Sequence, residues 1–358
     1  MAGRSFDLPG LPNRPKVPPL DWEGLSGKLA RFVMAPANRV RFTTPEGNTA
    51  FTAFLEDRNY GTRRHELTAF GPVILGLALL GEDVRPLAGS LGMFFDPAER
   101  IFLNSPGQPR VEWWYLFNIN ALAAHLVLLT LPEDETWLLH WRQAAGRLVD
   151  LAHRMDYDFN QQGYDFAAEA AWTERDIYRQ PDTIAAYAYL MLLAYSRFGD
   201  AIFYAEALAA MERYLAFPEN PWYEIPSGAM GAACAAQLRG MGAPVDVERA
   251  VQYALDPRAG MVLGTWGAEE VNGLVRGWHH SQPESAYSME SLVLLPYLLP
   301  VARKAPELAR VVGKYALNAA ANARLFYTGF TPHESRADLP APVAYERLYQ
   351  SFDGLSPY

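Results

Sequence analysis

The chain of 358 residues is 50% hydrophobic and 20% charged, enough apolar content for a large core and a poor match to a disordered protein. Its net charge of −9 comes without any Lys/Arg-rich run, which argues against a nucleic-acid partner. The single cysteine, Cys234, excludes an internal disulfide framework and any zinc site that needs two thiolates from this chain.

Residues 1–20 carry Pro9, Pro12, Pro15, Pro18 and Pro19 and read as an extended arm. They lack the apolar centre of a signal peptide, so the chain as it stands reads as cytoplasmic, with 21–358 as one domain. Asp21 to about Met34 predicts a first helix with Asp21 as its N-cap. Arg39 to Phe54, with Pro45, Gly47 and Asn48, reads as a loop or small hairpin. From about Thr62 to Leu80 the sequence is apolar on nearly every side, which predicts a helix buried all round and kinked at Pro72. A long Pro- and Gly-bearing connection, Gly81 to Arg110, leads to a second such helix over about Val111 to Leu131. Asn118, Asn120 and His125 suit that run to a buried helix rather than a membrane span. A tight turn, Pro132 to Glu135, then opens an amphipathic helix with one stripe of Trp137, Trp141, Ala144, Ala145, Leu148, Leu151 and Ala152.

The unit recurs. The loop Asp156 to Pro181 precedes an apolar helix, Thr183 to Phe198, and the turn Gly199–Asp200 opens an amphipathic one, Ala201 to Phe217. Further apolar helices begin near 227, 285 and 343, and partners follow from Val247 and from Pro306. Tight turns then lie at one end of every pair and long loops at the other. The expected fold is all-α, an (α/α)6 toroid of inner and outer helices with the long loops on one face. The helix at 21–34 would serve as an additional outer partner. An open α-solenoid is the alternative.

Loops on a rigid scaffold are where function concentrates. Trp113, Trp114, Trp172, Trp222, Trp266 and Trp278 fall in or beside these loops, and flat aromatic faces of this kind stack on pyranose rings. Glu224, Glu269, Glu270 and Glu284 lie among them, and glycoside hydrolysis needs an acid together with a base or nucleophile. Glu112 and Glu284 stand beside helix starts, where the helix dipole alone would favour an acid. His279 and His280 are adjacent and share no face, which suits acid–base work or hydrogen bonding rather than a metal site. Asn272, Arg276 and Tyr287 lie close by; with a histidine they form a set able to neutralise a uronate and abstract its proton. His125 and His140 read as core or surface residues. No GxGxxG after a strand, Walker A loop, HExxH or GxSxG occurs, so neither a cofactor nor a metal is expected. The expected partner is a small molecule or glycan.

The alternation, and phrases such as TIAAYAYLMLLAYSRFGDAIFYAEALAAMERYL (183–215), resemble the helix pairs of (α/α)6-toroid carbohydrate-active enzymes. The resemblance covers about Thr62 to Phe352 and matches no catalytic motif residue by residue. It implies a glycoside hydrolase acting in a Trp-lined cleft, with a polysaccharide lyase as runner-up. The other readings are an isomerase or hydratase acting on a small terpenoid-like alcohol, and a helical binding scaffold. A pocket holding paired carboxylates favours hydrolysis; an almost wholly apolar one favours the small alcohol.

Overall fold

Apolar runs bounded by acidic residues set the helices of this chain. The computed structural model describes residues 6–35, 40–53, 63–105, 107–266, 268–280 and 286–326. Among them are eleven α-helices: α1 (Trp22–Met34), α2 (Leu67–Leu79), α3 (Arg85–Ala88), α4 (Trp113–Thr130), α5 (Glu135–Arg154), α6 (Thr183–Phe198), α7 (Ala201–Ala216), α8 (Ser227–Gly240), α9 (Val247–Ala254), α10 (Ser288–Lys304) and α11 (Ala309–Asn322).

The apolar helices pack on one another in chain order: α2 on α4, α4 on α6, α6 on α8, and α8 on α10. Each of the last four also carries the helix that follows it, so α5, α7, α9 and α11 form a second set. The division follows side-chain pattern. Helix α4 has the length and apolarity of a bilayer span, yet 72% of it is buried inside the protein, as a core helix requires. Helix α7 buries only the stripe Phe203, Glu206, Ala207, Ala210, Met211 and Tyr214. The one charge in that stripe is fully engaged. Glu206 accepts hydrogen bonds from the hydroxyls of Tyr157 (2.8 Å) and Tyr187 (2.7 Å), and lies 2.7 Å from His153 Nε2.

The long loops are not free of β-structure, so the expectation of a purely all-α chain is corrected to a helix-rich one with short strands. The hairpin expected near 39–54 forms as β1 (Arg41–Thr43) and β2 (Thr49–Phe51). Three further sheets had no clear sequence signal, because strands of two or three residues are too short to show alternation. They are β3 (Phe95–Asp96) with β4 (Ile101–Phe102), then β5 (Arg110–Glu112), β6 (Gly163–Asp165) and β7 (Ala170–Trp172), and β8 (Thr265–Trp266) with β9 (Glu269–Glu270). The Pro-rich arm lies against the body: Leu8 and Leu11 are buried, Asp7 meets Lys314 Nζ at 2.8 Å, and the Pro12 carbonyl accepts from Asn318 Nδ2 at 2.8 Å. The sixth inner helix expected near 343 lies outside the described residues.

One sheet bears directly on the site. In the β5–β6 register Glu112 pairs with Gly163, and a Cβ on Gly163 would fall 2.0 Å from the Val111 carbonyl oxygen and 2.6 Å from Glu112 Cα. Both obstacles are backbone. Gly163→Ala is therefore expected to cost about 2 kcal/mol or more, and to displace Glu112. Denaturant unfolding checks the first effect; no change in midpoint would show that the sheet accommodates the methyl group.

Candidate functional site

Acidic residues at helix starts divide into two kinds. Asp21, Asp134 and Asp246 cap α1, α5 and α9 by accepting backbone N–H bonds from the first turn. The core helices α2, α4, α6, α8 and α10 also have an acid at their N-terminal ends. Glu66, Glu112 and Asp182 occupy the N-cap positions of α2, α4 and α6, Glu224 lies two residues before the N-cap of α8, and Glu290 is the third residue of α10. None of these five helices has a side-chain cap bond.

The five acids converge instead. Burial lifts the Tyr115 hydroxyl far above its ordinary pKa, and the charges of Glu224, Glu66, Glu112 and Glu290 add to the effect. Burial also raises Glu224 well above the usual carboxyl range, reinforced by Glu290, Glu112 and Asp182. Glu224 is half-buried and lies two residues before Pro226, which lines the cavity described below; the five acids themselves are not among its lining residues. Burial pushes Glu290 up to about 7. It does the same to Asp182, also to about 7, against the opposing effect of hydrogen bonds from the Tyr223 and Glu224 backbone.

Their contacts differ. Glu66 Oε2 accepts from Thr68 Oγ1 (2.9 Å) and Asn104 Nδ2 (3.0 Å). Glu112 is gripped on both oxygens, by Gln162 Nε2 at 2.9 Å and Gln180 Nε2 at 2.8 Å. Gln180 Oε1 in turn accepts the Trp114 N–H at 2.6 Å. Asp182 Oδ2 accepts the Glu224 N–H at 3.3 Å. Asp182 Oδ1 and Glu290 Oε2 are buried without a hydrogen-bond partner among the described residues.

Beside these acids is a cavity of about 280 Å³ between α2, α4, α8 and α10. Ile119, Leu122, Met230, Leu292, Val293 and Pro226 give it apolar walls. Trp114 also lines it, with its indole N–H donated away to the Ile225 carbonyl at 3.1 Å. Thr68, Asn118 and Tyr297 are the polar side chains in the lining. Asn118 Nδ2 turns back to the Trp114 carbonyl, leaving Oδ1 buried and unpartnered among the described residues.

Of the residues singled out from sequence, Glu224 and Trp114 belong to this site. Trp278 touches it through backbone pairing with Glu224, and its ring packs near Tyr178 and Tyr223. Glu269 is ion-paired to Arg324 at 2.6 Å. Glu270 accepts from Asn272 Nδ2 at 2.9 Å, while Asn272 Oδ1 holds the Gly264 N–H at 2.7 Å, so this pair orders its own loop. Trp113 is fully buried against Phe117 and Phe159. Trp172 lies under Arg110, and Trp266 packs on a small separate core. Tyr287 is the N-cap residue of α10 and lies against Gly277. His279 and His280 are exposed, ring against ring at 4.6 Å. His279 and Trp222, which carries Arg276 over its ring, border a separate open cleft of about 810 Å³. Burial lowers the His279 pKa, helped by the charges of His280 and Arg276. Glu284 lies outside the described residues.

Sequence reasoning passed over Glu66, Asp182, Glu290 and Tyr115. The sequence signal for the three acids is repetition, an acid within three residues of the start of each core helix; it does not single out Tyr115, and it is shared by the capping acids of α1, α5 and α9. No set of described His, Cys, Asp and Glu residues is grouped to hold a metal ion. No protein-family model matches the chain, and no curated protein matches it significantly.

The buried acids make stability pH-dependent. A carboxyl raised in the folded state keeps its proton there while the unfolded chain loses it, so stability falls as pH rises from the unfolded pKa to the folded one. For Glu290 that window runs from 4.5 to about 7. Glu290→Gln removes the effect, so the variant should gain on the order of 3 kcal/mol relative to wild type between pH 4 and pH 8. Chemical denaturation at both pH values measures the gain; equal differences at the two would show that Glu290 titrates normally.

Proposed function

We propose that this chain is an acid–base enzyme that removes water from, adds water to, or isomerises a small, mostly apolar alcohol. We also read its described helices as part of an (α/α)6 toroid, with the core helices α2, α4, α8 and α10 around the cavity. The single observation that carries the function is a cluster of buried acids, one held well above the ordinary carboxyl range, beside an almost wholly apolar cavity.

The chemistry follows from those two properties. An alcohol leaves poorly as hydroxide and well as water. Glu224, protonated, donates its proton to the hydroxyl oxygen as the C–O bond breaks and water departs. The glutamate left behind balances the positive charge developing on carbon. Glu112, fixed by two amide donors, takes a proton from the neighbouring carbon on a carboxylate lone pair, and the electron pair of that C–H bond becomes the new double bond. Hydration runs the same steps backwards, and loss followed by return of water at another carbon isomerises the alcohol. The apolar walls bind the hydrocarbon and limit stray water.

Glycoside hydrolysis keeps the support of several neighbouring carboxyls. Against it, Trp114 is the one loop tryptophan among the cavity-lining residues, and the walls offer few groups to a ring of sugar hydroxyls.

Incubation with small terpenoid-like and aliphatic alcohols, followed by gas chromatography, tests the proposal beside a glycan panel. Glu224→Gln and Glu112→Gln should each lower kcat by about 100-fold or more, with the circular dichroism of wild type retained. Because the working acid must carry its proton, the rate should hold through and beyond an ordinary glutamic acid's 4.5 and fall only at higher pH. Turnover of glycans alone, or a fall centred near 4.5, would sink the proposal.

A further inference from the structure

The polar wall residue Tyr297 is not alone. Its ring meets Tyr189 edge-on at 5.3 Å and lies 6.3 Å from the His125 ring. Tyr189 and His125 are joined by a hydrogen bond, hydroxyl to Nε2, of 3.1 Å. The trio brings together α10, α6 and α4. All three residues lie deep in the protein yet keep accessible surface.

Helical spacing puts the trio at the opposite end of the cavity from the acids. On α10, Glu290, Val293 and Tyr297 follow at three and seven residues and so share a face. On α4, Tyr115, Asn118, Leu122 and His125 do the same. At 1.5 Å per residue Glu290 and Tyr297, like Asp182 and Tyr189, are about 10 Å apart along their helices, and Glu112 and His125 about 20 Å. Apolar side chains line the wall between them.

A buried tyrosine hydroxyl ordinarily finds a hydrogen-bond partner. The Tyr189 hydroxyl has one in His125. The Tyr297 hydroxyl has none among the described residues, and Tyr297 is the one of the three that lines the cavity. Burial holds the imidazole pKa down to about 4, so His125 is neutral and offers one donor and one acceptor. The far end therefore presents uncharged hydrogen-bonding groups where a hydrocarbon tail would waste them.

We propose that Tyr297, supported by Tyr189 and His125, binds a second oxygen at the far end of the ligand, so that the substrate is a small apolar molecule with a hydroxyl or carbonyl at each end. The inference rests on the reading of the cavity as the substrate site. Tyr297 is then a specificity-determining residue, remote from the bond that breaks.

Titration calorimetry of the full chain with octanol and with α,ω-octanediol tests it. Wild type should bind the diol at least as tightly as octanol, although the diol gives up more hydration. Tyr297→Phe should weaken the diol about five- to tenfold and leave octanol within about twofold, and Tyr189→Phe should show the same pattern more weakly. A diol that binds tenfold worse than octanol to wild type, or a Tyr297→Phe that weakens both equally, overturns this inference while leaving the substrate cavity intact. If neither alcohol binds, the cavity reading itself fails and this inference with it.

Discussion

Five acids share the dry N-terminal end of a helix cluster, and the protein around them is arranged to tolerate that crowding. Each acid is drawn to its place by the partial positive charge of a helix start. For Glu224, Asp182 and Glu290 burial favours the neutral form, and at Glu224 the charges of Glu290, Glu112 and Asp182 add to it. The compromise is visible in the contacts. Glu66 accepts two hydrogen bonds on one oxygen, from Thr68 and Asn104, and Glu112 accepts one on each, from Gln162 and Gln180. Glu224, Asp182 and Glu290 are pushed towards protonation. Raised carboxyls and hydrogen-bonded ones thus occur together at the starts of the core helices.

The helix pairs were legible because their pattern is long: apolar on all sides for α4 and α6, one stripe for α5 and α7. The site was less legible because the same residue types do two jobs. Asp134 caps α5, while Glu112 stands at the N-cap of α4 without capping it; sequence alone presents both as an acid before a helix. The chemistry differs because a core helix starts at a buried rim, where its acid faces other acids, and an outer helix starts in water. Glu290 is harder still, since it lies inside the first turn of α10, where an acid is ordinary.

Aromatic loop residues also serve two purposes. An open end of a helix cluster needs large side chains to seal it, and tryptophan seals well whatever the ligand. Trp113 fills the core, Trp172 packs under Arg110, and Trp278 joins Tyr178 and Tyr223. The loop from Gly264 to His280, the richest in polar and aromatic residues, contributes mainly through its backbone: His279 N–H donates to the Tyr223 carbonyl at 2.7 Å, and Trp278 pairs with Glu224. It fastens the segment that carries Glu224 and leaves the cavity to residues from the helices.

The N-terminal arm has a consequence for how the chain becomes one unit. Helix pairs that touch mainly their sequence neighbours gain from any contact that links distant parts of the chain. Here Leu8, Leu11 and Asp7 dock near α11, some three hundred positions further along the chain. The contacts with Lys314 and Asn318 can form only once both the arm and α11 have been made. Docking the arm therefore ties the residues just before α1 to α11, closing a loop of about three hundred residues among the described part of the chain.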